Sequence, residues 1–316
     1  DQYMYDRSYS SIVENGGFYY FSGNLDNGSQ SDTHGYILKI NEQGEQVWIR
    51  FFDNTIGNNE NKIRDIAIND NSVCAVGYGE DQSPNNSTEY AGIINCVDFE
   101  GNTLFNESKF YENPEHPNYF GHSRLFSITS LSDGNYLAIG NAYYYYGGSG
   151  NQYTLPRILK FNTDGVLFDK VIEAHNLNGL NLEYWTDAVE IDNEKILITT
   201  VNGSNYAQLI IIDHDGNLIS DANDHANFEL GFTGTSYIKS VTMTNDNKFL
   251  LTGYADNGFN SRDMFFAKLD ENMNFLWVSN YGSLFGSDDY SYDILQLSNN
   301  RIIVIGGSYD ILQTNI

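Results

Sequence analysis

Hydrophobic and polar positions in this chain fall into short strand-like segments, and none of them repeats with a helical period. One kind of segment is a continuous apolar run, closed by glycine in most copies: Phe18–Gly23, Val73–Gly77, Tyr136–Gly140, Ile196–Val201, Phe249–Gly253 and Ile302–Gly306. Runs without alternation predict strands buried on both faces. Eleven or twelve residues before each glycine, or before Val201 in the fourth copy, stands the apolar anchor of an earlier strand: Ile12, Ile66, Ile128, Val189, Val241 and Ile294. Polar turns such as Glu14–Gly17, Asn69–Asn71, Ser132–Asn135 and Asn245–Asn247 separate the two strands.

A second pattern follows each apolar run. A strand ends in Asn or Asp, a glycine stands three residues on, and a new strand opens with an apolar pair. The copies are Asn41 to Gly44 with Val47 and Trp48, Asp98 to Gly101 with Leu104 and Phe105, Asn162 to Gly165 with Leu167 and Phe168, and Asp213 to Gly216 with Leu218 and Ile219. In the fifth, Asp270 to Met273 with Leu276 and Trp277, methionine replaces glycine. The anchors lie 57, 64, 51 and 57 residues apart. An Asx side chain can cap its own turn and glycine accepts positive φ, so the pattern predicts a hairpin built on a type I turn and a bulge. Met273 must take a strained conformation or use another turn.

Each unit therefore holds four antiparallel strands, A to D, with tight A–B and C–D turns and long B–C and D–A connections. Such units, about 50 residues long, predict the blades of a β-propeller. The expected architecture is all-β, one domain over 1–316, with six four-stranded blades near 7–52, 62–110, 123–173, 184–220, 236–279 and 290–316. The last blade would use Ile311–Ile316 as a short third strand and the N-terminal stretch 1–6, around Tyr3–Tyr5, as its outer strand, closing the ring; the alternative is that a further C-terminal part of a longer chain supplies that strand.

The stretch Lys248–Tyr254, followed by Asp263–Asp270 and Phe275–Trp277, resembles the repeat of secreted bacterial β-propeller-repeat proteins of the Bacteroidetes type. That resemblance runs blade by blade and implies an exported, envelope-associated protein, but it specifies fold rather than activity. The C–D turn is also similar to the tryptophan-docking repeat of quinoprotein dehydrogenases and outer-membrane assembly lipoproteins. Only two of five copies carry tryptophan, Trp48 and Trp277, which argues against a quinone-binding propeller.

Composition narrows the function. With 16 basic against 42 acidic side chains the net charge is −26, and aromatics reach 15%. Nucleic-acid binding needs clustered Lys and Arg and is not expected. So many aromatics exclude a disordered acidic tail, and no apolar run is long enough to span a bilayer. The sequence opens without Met or a basic-then-apolar leader, so removal of a targeting segment is expected.

Catalytic signatures are sparse. No GxxxxGK[ST], HExxH or GxSxG segment occurs. Sialidase turns carry Ser-x-Asp-x-Gly-x-Thr-Trp and sialidase chemistry uses an arginine cluster; these turns lack the serine, and the chain has seven Arg in all. Cys74 and Cys96 fall on neighbouring strands and could form a cross-strand disulfide or stand as buried thiols. His116 and His122 with Glu112 and Glu115, or Asp213–Gly216 with Asp221–Asp224, could hold a divalent metal or structural calcium. Their spacing matches no known site, and solvated loops or Asx turns explain them better. No cofactor or metal is expected.

The long connections carry the remaining information. The third B–C connection, 141–153, holds Tyr143, Tyr144, Tyr145, Tyr146 and Tyr153, and its tyrosines either form a binding surface or extend strand B. On the same rim we expect Tyr119, Phe120, Tyr184, Trp185, Tyr237 and Tyr290. Near the channel mouth, just before the inner-strand anchors, Arg64, Asp187, Lys239 and Asp293 mix charge signs; they could orient a charged ligand or pair with neighbouring charges. The expected function is a non-catalytic binding or scaffold module, secreted or envelope-exposed, whose tyrosine-bearing rim holds a protein partner. Glycan binding is the alternative. A glycoside hydrolase or lyase using Asp187, Asp293 or a residue of 112–122 is the third reading, and needs two facing carboxylates.

Overall fold

The computed structural model describes residues 5–7, 11–26, 33–52, 61–82, 88–112, 120–146, 151–171, 182–202, 207–219, 235–256, 261–282, 288–297 and 299–309. Regular structure among them is entirely β, and the chain forms two compact units, Asp1–Ile172 and Glu173–Ile316.

The first unit holds three large antiparallel sheets. One contains β1 (Tyr5–Arg7), β2 (Ile12–Asn15), β3 (Phe18–Asp26), β4 (Thr33–Asn41) and β5 (Gln46–Phe52). The second runs β6 (Asn61–Ile68), β7 (Val73–Gln82), β8 (Thr88–Val97) and β9 (Thr103–Lys109), in that order. A short pair, β10 (Tyr111–Glu112) and β11 (Phe120–Gly121), precedes the third sheet. That sheet is β12 (Ser123–Ser130), β13 (Tyr136–Tyr146), β14 (Asn151–Asn162) and β15 (Gly165–Val171). In the second unit a three-stranded sheet joins β16 (Leu182–Asp192), β17 (Lys195–Asn202) and β18 (Ala207–Asp213). A four-stranded sheet follows with β19 (Ser236–Met243), β20 (Phe249–Asp256), β21 (Arg262–Leu269) and β22 (Phe275–Tyr281). The described part of the last sheet is the pair β23 (Asp288–Gln296) and β24 (Ile302–Tyr309).

The continuous apolar runs behave as their composition requires. Along β7, Val73 and Ala75 pack with Tyr20, Ile37 and Trp48 of the first sheet, while Cys74 and Val76 pack with Leu125, Tyr136 and Phe161 of the third. Alternate residues of one strand thus enter two cores, as period-two geometry dictates. In the second unit Leu197 and Leu209 meet Ile238, Phe249 and Phe265 in the same way.

Four of the five Asx turns form as the sequence predicts; at Asn162 the Oδ1 accepts the N–H groups two and three positions on, and Gly165, at φ +147°, pairs directly with Asn162. The Oδ1 atoms of Asn41, Asp98, Asp213 and Asp270 each accept two backbone N–H groups, from the residues two and four positions on, at 2.7–3.1 Å. Gly44, Gly101 and Gly216 have φ of +79° to +85°. Met273 keeps the same turn at φ +64° and buries its side chain in the core beside Phe249 and Leu269.

Two expectations are corrected, and of the two readings of 141–153 the extension of strand B is the one observed. The N-terminal strand does not extend the last sheet: Tyr5–Arg7 pairs with Asn24–Asp26 of β3, on the edge that Ile12–Asn15 occupies further along, so it is the upper part of the first inner strand. Ile311–Ile316 and Tyr3 lie outside the described residues. The connection 141–153 is largely strand, because β13 and β14 continue their pairing through Tyr146↔Asn151, past the last partners of β12 and β15. In the fourth unit the inner-strand anchor is Ala188 rather than Val189, since extra register shifts in β16 displace the alignment by one.

Candidate functional site

Five inner strands share a defect at the same place in the repeat. The pairing of each with its neighbour skips one residue: Arg64 in β6, Phe126 in β12, Thr186 in β16, Lys239 in β19 and Tyr292 in β23. A bulge leaves its extra residue out of the ladder and re-aims its side chain. It also folds the strand's carbonyl against the partner, which explains the closing glycines. A Cβ on Gly77, Gly140 or Gly253 would collide with the carbonyl oxygen of Lys62, Arg124 or Tyr237.

The residue after each bulge ties sheets together. Asp65 accepts the backbone N–H of its own Ile66 at 2.8 Å, and in the next sheet the Ser127 hydroxyl at 2.9 Å and the Ile128 N–H at 2.8 Å. In the second unit Asp187 accepts the N–H groups of Ala188 and, one sheet on, Val241, both at 2.8 Å. Asp293 accepts the Ile294 N–H at 2.8 Å and the Ser240 hydroxyl at 2.7 Å. Burial pushes Asp65 up to about 6, although its hydrogen bonds from Ile128, Ser11, Ile66 and Ser127 all favour the anion.

Around the bulges stand two groups of rings and cations. In the first unit Arg64 donates to the Tyr78 hydroxyl at 2.6 Å and lies 5.0 Å from that ring. Arg124 lies against both Tyr78 and Tyr90, 4.9 and 4.7 Å from their centroids, and the two rings meet edge-on at 5.5 Å. His122 follows against Tyr90, accepts the Tyr90 N–H at 2.9 Å, and is 3.1 Å from Glu89. In the second unit Tyr254 is stacked on Tyr237 at 4.9 Å and meets Tyr290 edge-on at 4.8 Å. Lys239 lies 5.6 Å and Arg262 5.3 Å from the Tyr254 ring, and Arg262 donates to the Tyr290 hydroxyl at 3.1 Å. Burial pushes the Tyr254 phenol up to about 12. Burial, then the carboxylate of Asp288, raises Tyr290.

The two groups occupy equivalent positions in the repeat. Tyr78 and Tyr254 each follow the bulge glycine. Tyr90 and Arg262 both stand opposite the acid three residues after that glycine, Glu80 and Asp256. Arg124 and Tyr290 both lie four residues before the anchor of the following sheet, and His122 and Asp288 six before it. The Asp288 carboxylate accepts the Arg262 N–H at 2.9 Å, as His122 accepts that of Tyr90. Ring and guanidinium have changed places: Tyr90 with Arg124 in one unit, Arg262 with Tyr290 in the other.

Of the residues expected on the rim or channel mouth, Arg64 joins the first group, and Lys239, Tyr237 and Tyr290 join the second. Asp187 and Asp293 serve as inter-sheet acceptors. Phe120 lies in β11, Tyr143–Tyr146 in β13, Tyr153 in β14, and Tyr184 and Trp185 in β16; only their backbone is described. Tyr119, Glu115, His116 and Asp221–Asp224 fall outside the described residues. The sulfurs of Cys74 and Cys96 are bonded across directly opposed positions of β7 and β8. Asp213 is engaged in its own turn. Among the described residues no group of three or more His, Cys, Asp or Glu is placed to hold a metal ion. No described helix is long and apolar enough to cross a membrane.

Tyr78, Tyr90, Arg124, Tyr254 and Arg262 were not singled out in the sequence. The signal for the two central rings was nonetheless present, as a tyrosine directly after the run-closing glycine in the second and fifth copies.

No known protein family matches the chain by sequence profile, and no curated protein matches it in sequence. Solved structures do share its fold. A protein of unknown function from Dyadobacter fermentans superposes with a TM-score of 0.58 at 10% identity, over 97% of this chain and 94% of the other. A Trypanosoma rangeli sialidase in complex with the inhibitor DANA gives 0.55 at 10% identity, over 96% of this chain but 53% of the sialidase. The same enzyme with sialic acid gives 0.53 at 10% identity, over 97% of this chain and 52% of the sialidase. The fold is accordingly of the β-propeller type.

Proposed function

We propose that the protein is a non-catalytic binding module, a propeller of six blades, that holds a protein partner on the strand ends carrying the bulges and the Tyr–Arg groups. One observation carries the reading. At repeat-equivalent places the chain keeps ring–guanidinium contact while exchanging which strand supplies which partner. Tyrosine and arginine are the residues in which protein interfaces concentrate binding energy. Asp187 and Asp293, two of the carboxylates named in the hydrolase reading beside those of 112–122, accept backbone or serine hydrogen bonds from adjoining sheets. The Cys74–Cys96 bond supports an oxidising compartment, consistent with secretion or exposure on the cell envelope. A net charge of −26 favours encounter with a basic partner.

Glycan binding is the second reading, favoured by Tyr292. Its ring is half exposed at a bulge beside the Tyr237, Tyr254 and Tyr290 group, and such faces suit sugar rings.

The test is affinity capture from the source organism's envelope fraction with the wild-type protein and with the triple variant Arg64→Ala, Lys239→Ala, Tyr292→Ala. Bulge residues lie outside the strand pairing, so the variant should fold. A protein retained by the wild type and lost by the variant supports the partner reading; loss of an oligosaccharide instead supports the glycan reading. Turnover of aryl glycosides that disappears in Asp187→Asn or Asp293→Asn would refute both.

A further inference from the structure

Strand β8 outruns its outer neighbour. Its pairing with β9 ends at Gly92↔Lys109, while its pairing with β7 continues to Gln82↔Thr88. Tyr90 therefore lies two residues past the last β9 partner, and its buried-edge N–H calls for an acceptor. His122 of the next sheet supplies it, with Nδ1 accepting the N–H at 2.9 Å. The imidazole lies 5.3 Å from the Tyr90 ring, which in turn meets Tyr78 and Arg124. One histidine thus fastens the strand end that carries a ring of the first Tyr–Arg group.

A second group competes for the same nitrogen. Glu89 Oε2 is 3.1 Å from His122 Nδ1, and the two side chains are 28% and 19% exposed, so water screens them only in part. An imidazole nitrogen accepts when it carries no proton and donates when it does. With Nδ1 bare, the Tyr90 N–H is satisfied and the carboxylate oxygen faces a lone pair. With Nδ1 protonated, Glu89 gains a charge-assisted hydrogen bond and the Tyr90 N–H faces another donor. Each state satisfies one contact and opposes the other. The carboxylate already stands within hydrogen-bond distance, so passage between the states needs no large movement.

The equivalent place in the second unit has no such conflict. Asp288 accepts the Arg262 N–H at 2.9 Å, and a carboxyl group keeps an acceptor oxygen whether ionised or protonated. Other charged groups surround His122. Glu80 and Asp81 of β7 stand opposite Tyr90 and Glu89, and Lys109 of β9 opposite Gly92. Arg124 follows two residues along β12, and Glu112 of β10 pairs with Phe120. Imidazole is the side chain whose ordinary charge change falls between about pH 5 and about pH 8.

We infer that His122 is a proton-operated latch on the first Tyr–Arg group. With Nδ1 bare it holds the Tyr90 strand end, and with it the ring beside Tyr78 and Arg124. On taking up a proton, Nδ1 turns to Glu89 and releases the Tyr90 N–H. Acidification loosens this group and leaves its counterpart around Arg262 closed. Combined with the binding reading of these strand ends, on which this last step rests, the latch makes the protein hold its partner at neutral pH and release it in acid.

NMR of the whole chain, titrated from about pH 8 to about pH 5, reads the latch without any partner. The Tyr90 amide should follow the same titration curve as the His122 ring carbons. Its protection factor against exchange should fall about tenfold, the worth of one hydrogen bond, while that of the Arg262 amide should hold. His122→Asn keeps an acceptor oxygen and takes up no proton, so Tyr90 should stay protected throughout. A Tyr90 amide that keeps its protection when the ring is protonated would overturn the latch, as would the same loss in His122→Asn. The binding step is read separately, by eluting the captured protein. Wild type should retain it at about pH 8 and release it at about pH 5, and His122→Asn should retain it at both. Retention by wild type at both values would overturn the regulatory role. Retention at neither would overturn the binding reading alone, and the amide titration would still decide the latch.

Discussion

The hydroxyl of Ser127 donates to the carboxylate of Asp65, 2.9 Å away in the preceding sheet. The same carboxylate takes backbone N–H groups from both sheets, so one half-buried side chain serves two inner strands. Burial nevertheless holds its folded-state value at about 6, above the ordinary 3.8. The folded protein therefore keeps a proton that the unfolded chain has released across this interval. The resulting stabilisation is complete below the unfolded value and is lost as pH rises through the folded one. A shift of this size corresponds to roughly 3 kcal/mol. The stability difference between wild type and Asp65→Asn, from urea denaturation, should fall by about that amount between about pH 4 and pH 7. A difference that stays constant with pH would show that Asp65 does not titrate in this way.

The exchanged Tyr–Arg pairs predict a rescue. Tyr90→Arg alone sets a second guanidinium beside Arg124, and Arg124→Tyr alone removes the cation that faces both rings. The double variant recreates the arrangement of Arg262 and Tyr290. Each single change should cost about 1–2 kcal/mol, and the double variant less than their sum by about 1 kcal/mol or more. Strict additivity in chemical denaturation would mean that the two places are not interchangeable.

Met273 sets two effects against each other. A side chain at φ +64° costs about 1–2 kcal/mol relative to glycine. Loss of a buried methionine costs about 2–5 kcal/mol. Met273→Gly should therefore destabilise by about 1–3 kcal/mol, read as a lower urea midpoint. A higher midpoint would show that the thioether contributes little to the core that it enters.

The Cys74–Cys96 bond closes a loop with a sequence separation of 22 between fully buried sulfurs. Reductant without denaturant should leave both thiols unlabelled by iodoacetamide in mass spectrometry, whereas reductant with urea should expose both. The Cys74→Ala, Cys96→Ala pair should cost roughly 2–4 kcal/mol. Rapid labelling under native conditions would contradict the burial.

Strand content, the six A–B hairpins and the Asx turns were legible in the sequence because each rests on local chemistry: two-sided apolar runs, side-chain capping, and glycine at positive φ. The site was legible only in part. Arg64 and Lys239 stood out as variable, charged residues before an anchor, yet the bulge that unpairs them depends on how two strands align and marks only the glycine opposite, Gly77 or Gly253, not the unpaired residue itself. Asp187 and Asp293 looked like ligand-orienting charges because the groups that donate to them, the Val241 N–H and the Ser240 hydroxyl, lie more than 50 residues away. The N-terminal strand was misplaced for a related reason. Tyr5–Arg7 reads as a plausible edge for any sheet, and only pairing with Asn24–Asp26 shows that it belongs to the first inner strand.

One feature of the inner strands bears on redesign. Because Arg64, Phe126, Thr186, Lys239 and Tyr292 are skipped by the ladder, the fold tolerates a cation, an arene or an alcohol there without altering strand alignment. Those five codons could be randomised together on a display platform, turning the same framework into a source of new receptors whose specificity is written without rewriting the scaffold.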